Sequence, residues 1–129
     1  MAPLPYRQLL VWQKAQALAM DVLDLADGPG LASRFSFRDQ MCRAALSVPA
    51  NIAEGNGRST PLDYAAFLDR ARGSLYELDT WLFTAGQRRY ISPEMITVLE
   101  PRISEVSAML LSLARRLRSQ SSLVSRGPD

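Results

Sequence analysis

From Leu9 onward, apolar residues recur at the three-and-four spacing of a helix with one buried face. Val11, Ala15, Leu18, Val22 and Leu25 form the stripe, and Trp12, Ala19, Leu23 and Ala26 widen it towards a second neighbour. The spacing predicts a helix over about 9–26, stopped by Asp27-Gly28-Pro29-Gly30. A second stripe runs through Phe37, Met41, Ala44 or Ala45, Val48 and Ile52, and predicts a helix over about 36–55. Ser33 or Ser36 offers its N-cap, the latter in a capping-box-like Ser36-Phe37-Arg38-Asp39. Pro49 should kink this helix, and Gly55 or Gly57 should end it in the left-handed conformation.

Thr60-Pro61 with Asp63 is the clearest helix start in the chain. Leu68, Ala71, Leu75, Leu78, Leu82 and Ala85 follow and predict a helix over about 61–86, with Gly73-Ser74 marking a close helix crossing. Ser92-Pro93-Glu94 opens the last helix, about 93–118, whose Ile96, Leu99, Ile103, Val106, Leu110, Leu113 and Leu117 repeat as a heptad and whose Pro101 should bend it. Residues 119–129 read as a frayed tail beyond a single domain of residues 1–118. No alternating strand pattern competes. The expected fold is therefore all-α, an up-down-up-down antiparallel four-helix bundle. Trp12, Phe67, Trp81 and Met109 lie outside the main stripes and suggest a second buried face, which an oligomer would use.

Composition narrows the chemistry. The 129 residues carry one cysteine, Cys42, and no histidine, so an internal disulfide is excluded and a zinc or iron site has no ligand set. No cofactor or metal is expected, and a reducing, cytoplasmic setting is. The first residues lack the apolar core of a signal peptide, and no apolar run is long enough to span a membrane. Net charge is only +2, but 14 of the 15 basic residues are arginine, the side chain suited to bidentate phosphate and carboxylate pairing.

Two groups of polar residues stand out. Asn51, Glu54 and Arg58 step by three and four among apolar positions and should face the third helix. They read either as a patch recognising RNA or another partner, or as an interhelical network in which Arg43 or Arg72 pairs with Glu54 or Glu77. The second group follows from the bundle topology. The start of the first helix, the turn between the second and third, and the end of the fourth share one end, which gathers Arg7, Lys14, Arg58, Arg115, Arg116 and Arg118 as candidate nucleic-acid-binding residues. The alternative is that arginines close to a helix C-terminus simply favour its dipole. Catalysis is disfavoured: Cys42 has no histidine partner, and Gly55-Asn56-Gly57-Arg58-Ser59-Thr60 lacks the lysine and strand of a phosphate loop.

Leu9-Leu10-Val11-Trp12-Gln13-Lys14-Ala15, Ala44 through Gly55 with Arg58, Phe67-Leu68, Gly73-Ser74 and Glu77-Leu78 together resemble the four-helix-bundle proteins encoded by intervening sequences in 23S ribosomal RNA genes. The resemblance spans about residues 9–91. It implies a cytoplasmic bundle assembled as a pentameric ring, and a distant similarity to the accessory variability determinant of diversity-generating retroelements, a basic bundle that binds a reverse transcriptase and nucleic acid. The chain departs from that pattern between Leu25 and Phe37, at Cys42, where a second arginine is common before Arg43, and at Asp79, where a glutamate is common. The expected function is a non-enzymatic, homo-oligomeric, RNA-associated accessory role through the arginine-rich end. A protein-interaction scaffold, whose polar and apolar surfaces serve assembly only, is the alternative.

Overall fold

The computed structural model describes residues 2–126. A 3-10 turn, Pro5–Gln8, leads into four α-helices: α1 (Leu10–Ala26), α2 (Phe35–Asn56), α3 (Pro61–Gln87) and α4 (Pro93–Arg126). No strand occurs among the described residues. Backbones approach closely between α1 and α2, α2 and α3, α3 and α4, and α4 and α1, so the helices surround one core in a closed circuit. Leu18 and Val22 of α1 meet Met41 and Ile52 of α2, Leu68, Leu75, Leu78 and Leu82 of α3, and Leu99 and Leu110 of α4 in that core, all essentially inaccessible to solvent. Each such side chain stabilises the fold by about 1.5–3 kcal/mol relative to exposure. The apolar stripes thus produce both the helices and their common interior.

Helix boundaries follow local chemistry, with four departures from the sequence reading. The backbone N–H of Asp63 donates to Thr60 Oγ1 at 3.2 Å, so Thr60 caps α3. Neither Ser33 nor Ser36 caps α2: the N-cap is Arg34, without a side-chain cap bond. The cause is Leu31, fully buried, which draws residues 28–34 inward into a turn where Ala32 N–H donates to Gly28 O and Arg34 N–H to Leu31 O. Secondly, Gly57 ends α2 in right-handed geometry (φ −82°), and the left-handed residue is Arg89 (φ 60°), just beyond α3. There Tyr90 N–H donates to Ala85 O and Arg89 N–H to Gly86 O, a Schellman closure built on an arginine.

The third departure concerns the tail. Helix α4 continues through Arg126 and does not stop at Arg118. Serine and glutamine at 119–122 are tolerated in a helix, and the first true breakers are Gly127 and Pro128, which lie outside the described residues with Asp129. The fourth concerns the crossing expected at Gly73-Ser74: Ser74 Oγ does lie 2.8 Å from Ser47 Oγ of α2, but Gly73 has no part in it, since a Cβ there would meet nothing within 4 Å and Gly73 faces solvent. The glycine at which α2 and α3 crowd each other is Gly55, where a Cβ would lie 2.7 Å from Phe67 Cβ and 3.1 Å from Tyr64 Cδ1.

Two loops are locked together at the other end. Gly30 lies against the backbone of Tyr90, so an added Cβ would fall well inside contact distance of the Tyr90 carbonyl. Tyr90 in turn packs edge-on against Phe37, with ring centroids 5.4 Å apart, and under the guanidinium of Arg34 at 3.9 Å. Gly30→Ala must push these backbones apart and should cost about 3 kcal/mol, the upper range for overpacking, read as a lower urea midpoint with an unchanged slope.

Candidate nucleic-acid interface

The two polar groups identified in the sequence fare differently in three dimensions. Asn51, on α2, donates its side-chain N–H bonds to the Ser47 carbonyl at 2.8 Å and to Ser47 Oγ at 2.9 Å. Ser47 Oγ lies 2.8 Å from Ser74 Oγ of α3. This is a half-buried hydroxyl bridge between helices, oriented by Asn51. Glu54 does not enter it: Glu54 accepts from Arg58 Nη2 at 3.3 Å, within α2 and the turn that follows. Glu77 accepts weakly from the Trp81 indole N–H at 3.5 Å, and Arg43 is exposed without an ion pair among the described residues.

Arg72 faces α4. It donates to the Tyr76 hydroxyl at 3.0 Å, while its Nε is buried without a partner. A shallow cleft of about 520 Å³ opens there between Arg72, Tyr76, Asp79, Glu100, Ser104 and Ser107. Hydrogen bonds from Ser107 and then Arg72 hold the Tyr76 hydroxyl below its ordinary range. The structure therefore does not bring Arg43, Asn51, Glu54, Arg72 and Glu77 into one network. Arg43 or Arg72 was expected to pair with Glu54 or Glu77; instead Arg58 takes Glu54, Arg72 bonds to Tyr76 on its own helix, and Arg43 holds no carboxylate among the described residues.

The basic residues of the other group find separate neighbours. Arg7 lies in the 3-10 turn, which packs on α1 and α2. Leu9, Leu10 and Val11 share a cleft with Met109, Leu113 and Arg116, which brings the 109–116 stretch of α4 beside the start of α1. Arg118 pairs with Asp69 of α3, and Lys14 pairs with Glu105 of α4 at 2.5 Å. Arg58 stands over the Phe67 ring at 4.6 Å. So Lys14, Arg58 and Arg118 each hold a carboxylate, whereas Arg7, Arg115 and Arg116 are exposed and hold none among the described residues. A residue absent from the sequence reading joins them: Arg70, exposed, also stands 4.6 Å from the centre of Phe67. The i, i+3 spacing of Phe67 and Arg70 could have signalled it.

Other chemistry finds little purchase. Among the described residues no group of three or more His, Cys, Asp or Glu side chains converges, and no helix is long and apolar enough to cross a membrane. Cys42 is half-buried, and burial raises its thiol pKa, which outweighs the opposing pull of Arg38. Such a thiol is a poor nucleophile near neutral pH.

Residues 7–112 match the family model for the 23S rRNA-intervening sequence protein. The chain belongs to that family. Its fold is similar to the crystal structure of a protein with unknown function from the S23 ribosomal protein family of Bacteroides thetaiotaomicron VPI-5482, with a TM-score of 0.74 and 21% identity over 81% of this chain and 98% of that one. At that identity the likeness speaks for the fold alone. No curated protein matches the chain. The matched region includes the α2–α3 turn and Phe67 but stops before Arg115, so the far end of α4 lies beyond it.

The polar residues separate by consequence. Asn51→Ala removes two hydrogen bonds and leaves the half-buried Ser47–Ser74 bridge unoriented, and should cost about 1–2 kcal/mol in urea unfolding. Glu77→Ala, at an exposed position with one long bond, should stay within about 0.5 kcal/mol.

Proposed function

We propose that this protein is a non-enzymatic, cytoplasmic, homo-oligomeric helical bundle with an RNA-associated accessory or binding role, exercised through its arginine-rich end. The observation that carries the reading is the presence there of Arg7, Arg115 and Arg116, exposed and without carboxylate partners among the described residues. Arginines that have no internal partner are free to replace the counterions of a phosphate backbone. Membership of the 23S rRNA-intervening sequence protein family is consistent with an RNA-related role.

An up-down-up-down order of the helices is part of this proposal, because it is what brings the three segments to one end. Supporting it, Phe37 meets Trp81 and Ser47 meets Ser74, while Gly86 abuts Ile96 and Asp69 meets Arg118. Along the α1–α4 seam Lys14 meets Glu105 and Asp21 meets Arg102 at 2.6 Å. In each of these three pairs of helices, rising numbers on one match falling numbers on the other, which leaves α1 antiparallel to α2 as well.

Assembly into a ring of five, which the family resemblance implies, would present the arginine cluster five times and raise avidity for a polyanion. Exposed Leu10 (56%), Leu62 (55%) and Val98 (59%) supply apolar surface for such an interface. The same residues favour the second reading, a protein-interaction scaffold with no nucleic acid involved. The two readings part in a titration of fluorescein-labelled RNA hairpin after the oligomer mass has been fixed by light scattering. The RNA reading expects affinity to fall by about 10³-fold or more between 50 and 200 mM salt, and Arg115→Ala with Arg116→Ala to flatten that dependence. Absence of binding at the lower salt would leave the scaffold reading.

A further inference from the structure

Arg58 and Arg70 approach the same aromatic ring from two helical contexts. Arg58 follows the end of α2, Arg70 lies in the second turn and a half of α3, and both guanidinium carbons stand 4.6 Å from the Phe67 ring centre. Twice that distance is therefore the most that can separate the two cations. Phe67 itself is 7% exposed and held by the Gly55 crossing, so the platform is rigid while both guanidiniums remain open to solvent. Like charges this close repel each other, and cation–π attraction of about 0.5–1 kcal/mol at exposed sites offsets that only partly. One carboxylate reaches the pair: Glu54, at 3.3 Å from Arg58 and about half exposed, and no carboxylate pairs with Arg70 among the described residues.

We infer that Arg58 and Arg70, laid on Phe67, form a preset phosphate clamp for the RNA backbone at the α2–α3 turn, with Glu54 as the internal carboxylate that a phosphate displaces from Arg58. This rests on the RNA reading above and adds to it a residue, Arg70, and a competitor, Glu54. Contact with the ring holds both guanidiniums over one seated surface, so an anion meets them with less ordering left to do. A pair that served only to cover Phe67 would need no charge at either position, and an aliphatic side chain would cover the ring as well.

The test uses the full chain and the labelled RNA hairpin, with wild type, Arg70→Gln, Arg70→Lys, Glu54→Gln and the Arg115→Ala, Arg116→Ala double variant titrated from about 50 to 200 mM salt. Arg70→Gln should weaken binding severalfold at the lower salt and reduce the slope of log affinity against log salt by about 0.9, one phosphate contact. Arg70→Lys, which keeps the charge but not the planar fork, should recover the slope and only part of the affinity. Glu54→Gln should tighten binding, because the internal competitor is gone. Urea unfolding of Arg70→Gln reports the merely structural role and should barely move. Binding that responds to the Arg115 and Arg116 changes but not to Arg70→Gln or Glu54→Gln overturns the clamp and leaves the RNA reading standing. A wild-type chain that binds no RNA at the lower salt removes both.

Discussion

The close approach of α2 and α3 at Gly55 is the constraint on which much of the molecule depends. With no Cβ at that position, the α2 backbone comes close enough for Phe67 and Tyr64 to pack directly against it. Phe67 is thereby buried near the end of the hairpin rather than projecting into solvent, and Asn56 can donate to the Tyr64 hydroxyl at 3.3 Å across the turn. Arg58 and Arg70 lie over that seated ring. A side chain at position 55 would deny the ring that floor and Arg58 its surface.

The same crossing explains the role of the Ser47–Asn51–Ser74 bridge two turns away. Small hydroxyls at facing positions let the helices remain close while satisfying each other's hydrogen bonds, and Asn51 removes the rotational freedom of Ser47 by binding both its carbonyl and its hydroxyl. The bridge is neutral and half-buried, which avoids the desolvation cost that an arginine–glutamate network in the same place would carry. Of the charged residues first assigned to that network, Arg43, Glu54 and Glu77 lie exposed, where water screens them, and Arg72 turns towards α4 with its Nε buried.

What was legible in the chain and what was not divides along physical lines. Helix existence was written in the spacing of residues such as Leu68, Leu75, Leu78 and Leu82, because burial on one face imposes a period that no other element shares. Thr60 was legible as a cap because its chemistry is local. The start of α2 was not, because it is set by the burial of Leu31, a single apolar residue inside a glycine-rich loop. The end of α4 was obscured because serine and glutamine are permissive rather than directive. At the candidate interface, which basic residues would be held by carboxylates was not legible, since Asp69 and Glu105 reach across helices to Arg118 and Lys14 by a register that the sequence leaves unstated.

That distinction between held and free arginines decides what the end of the molecule can do. The ion pairs of Lys14, Arg58 and Arg118 are between side chains about half exposed, and such pairs contribute about 0–1 kcal/mol each. A phosphate carrying a full charge and several acceptor oxygens competes well against a carboxylate held that loosely, particularly when neighbouring Arg7, Arg70, Arg115 and Arg116 raise the local potential without spending it on internal partners. The internal carboxylates of Glu105, Glu54 and Asp69 thus neutralise three of the cations locally while leaving both partners of each pair open to solvent. Overall charge of only +2 is compatible with this, because affinity for a polyanion depends on where unpaired cations cluster and not on the sum over the chain.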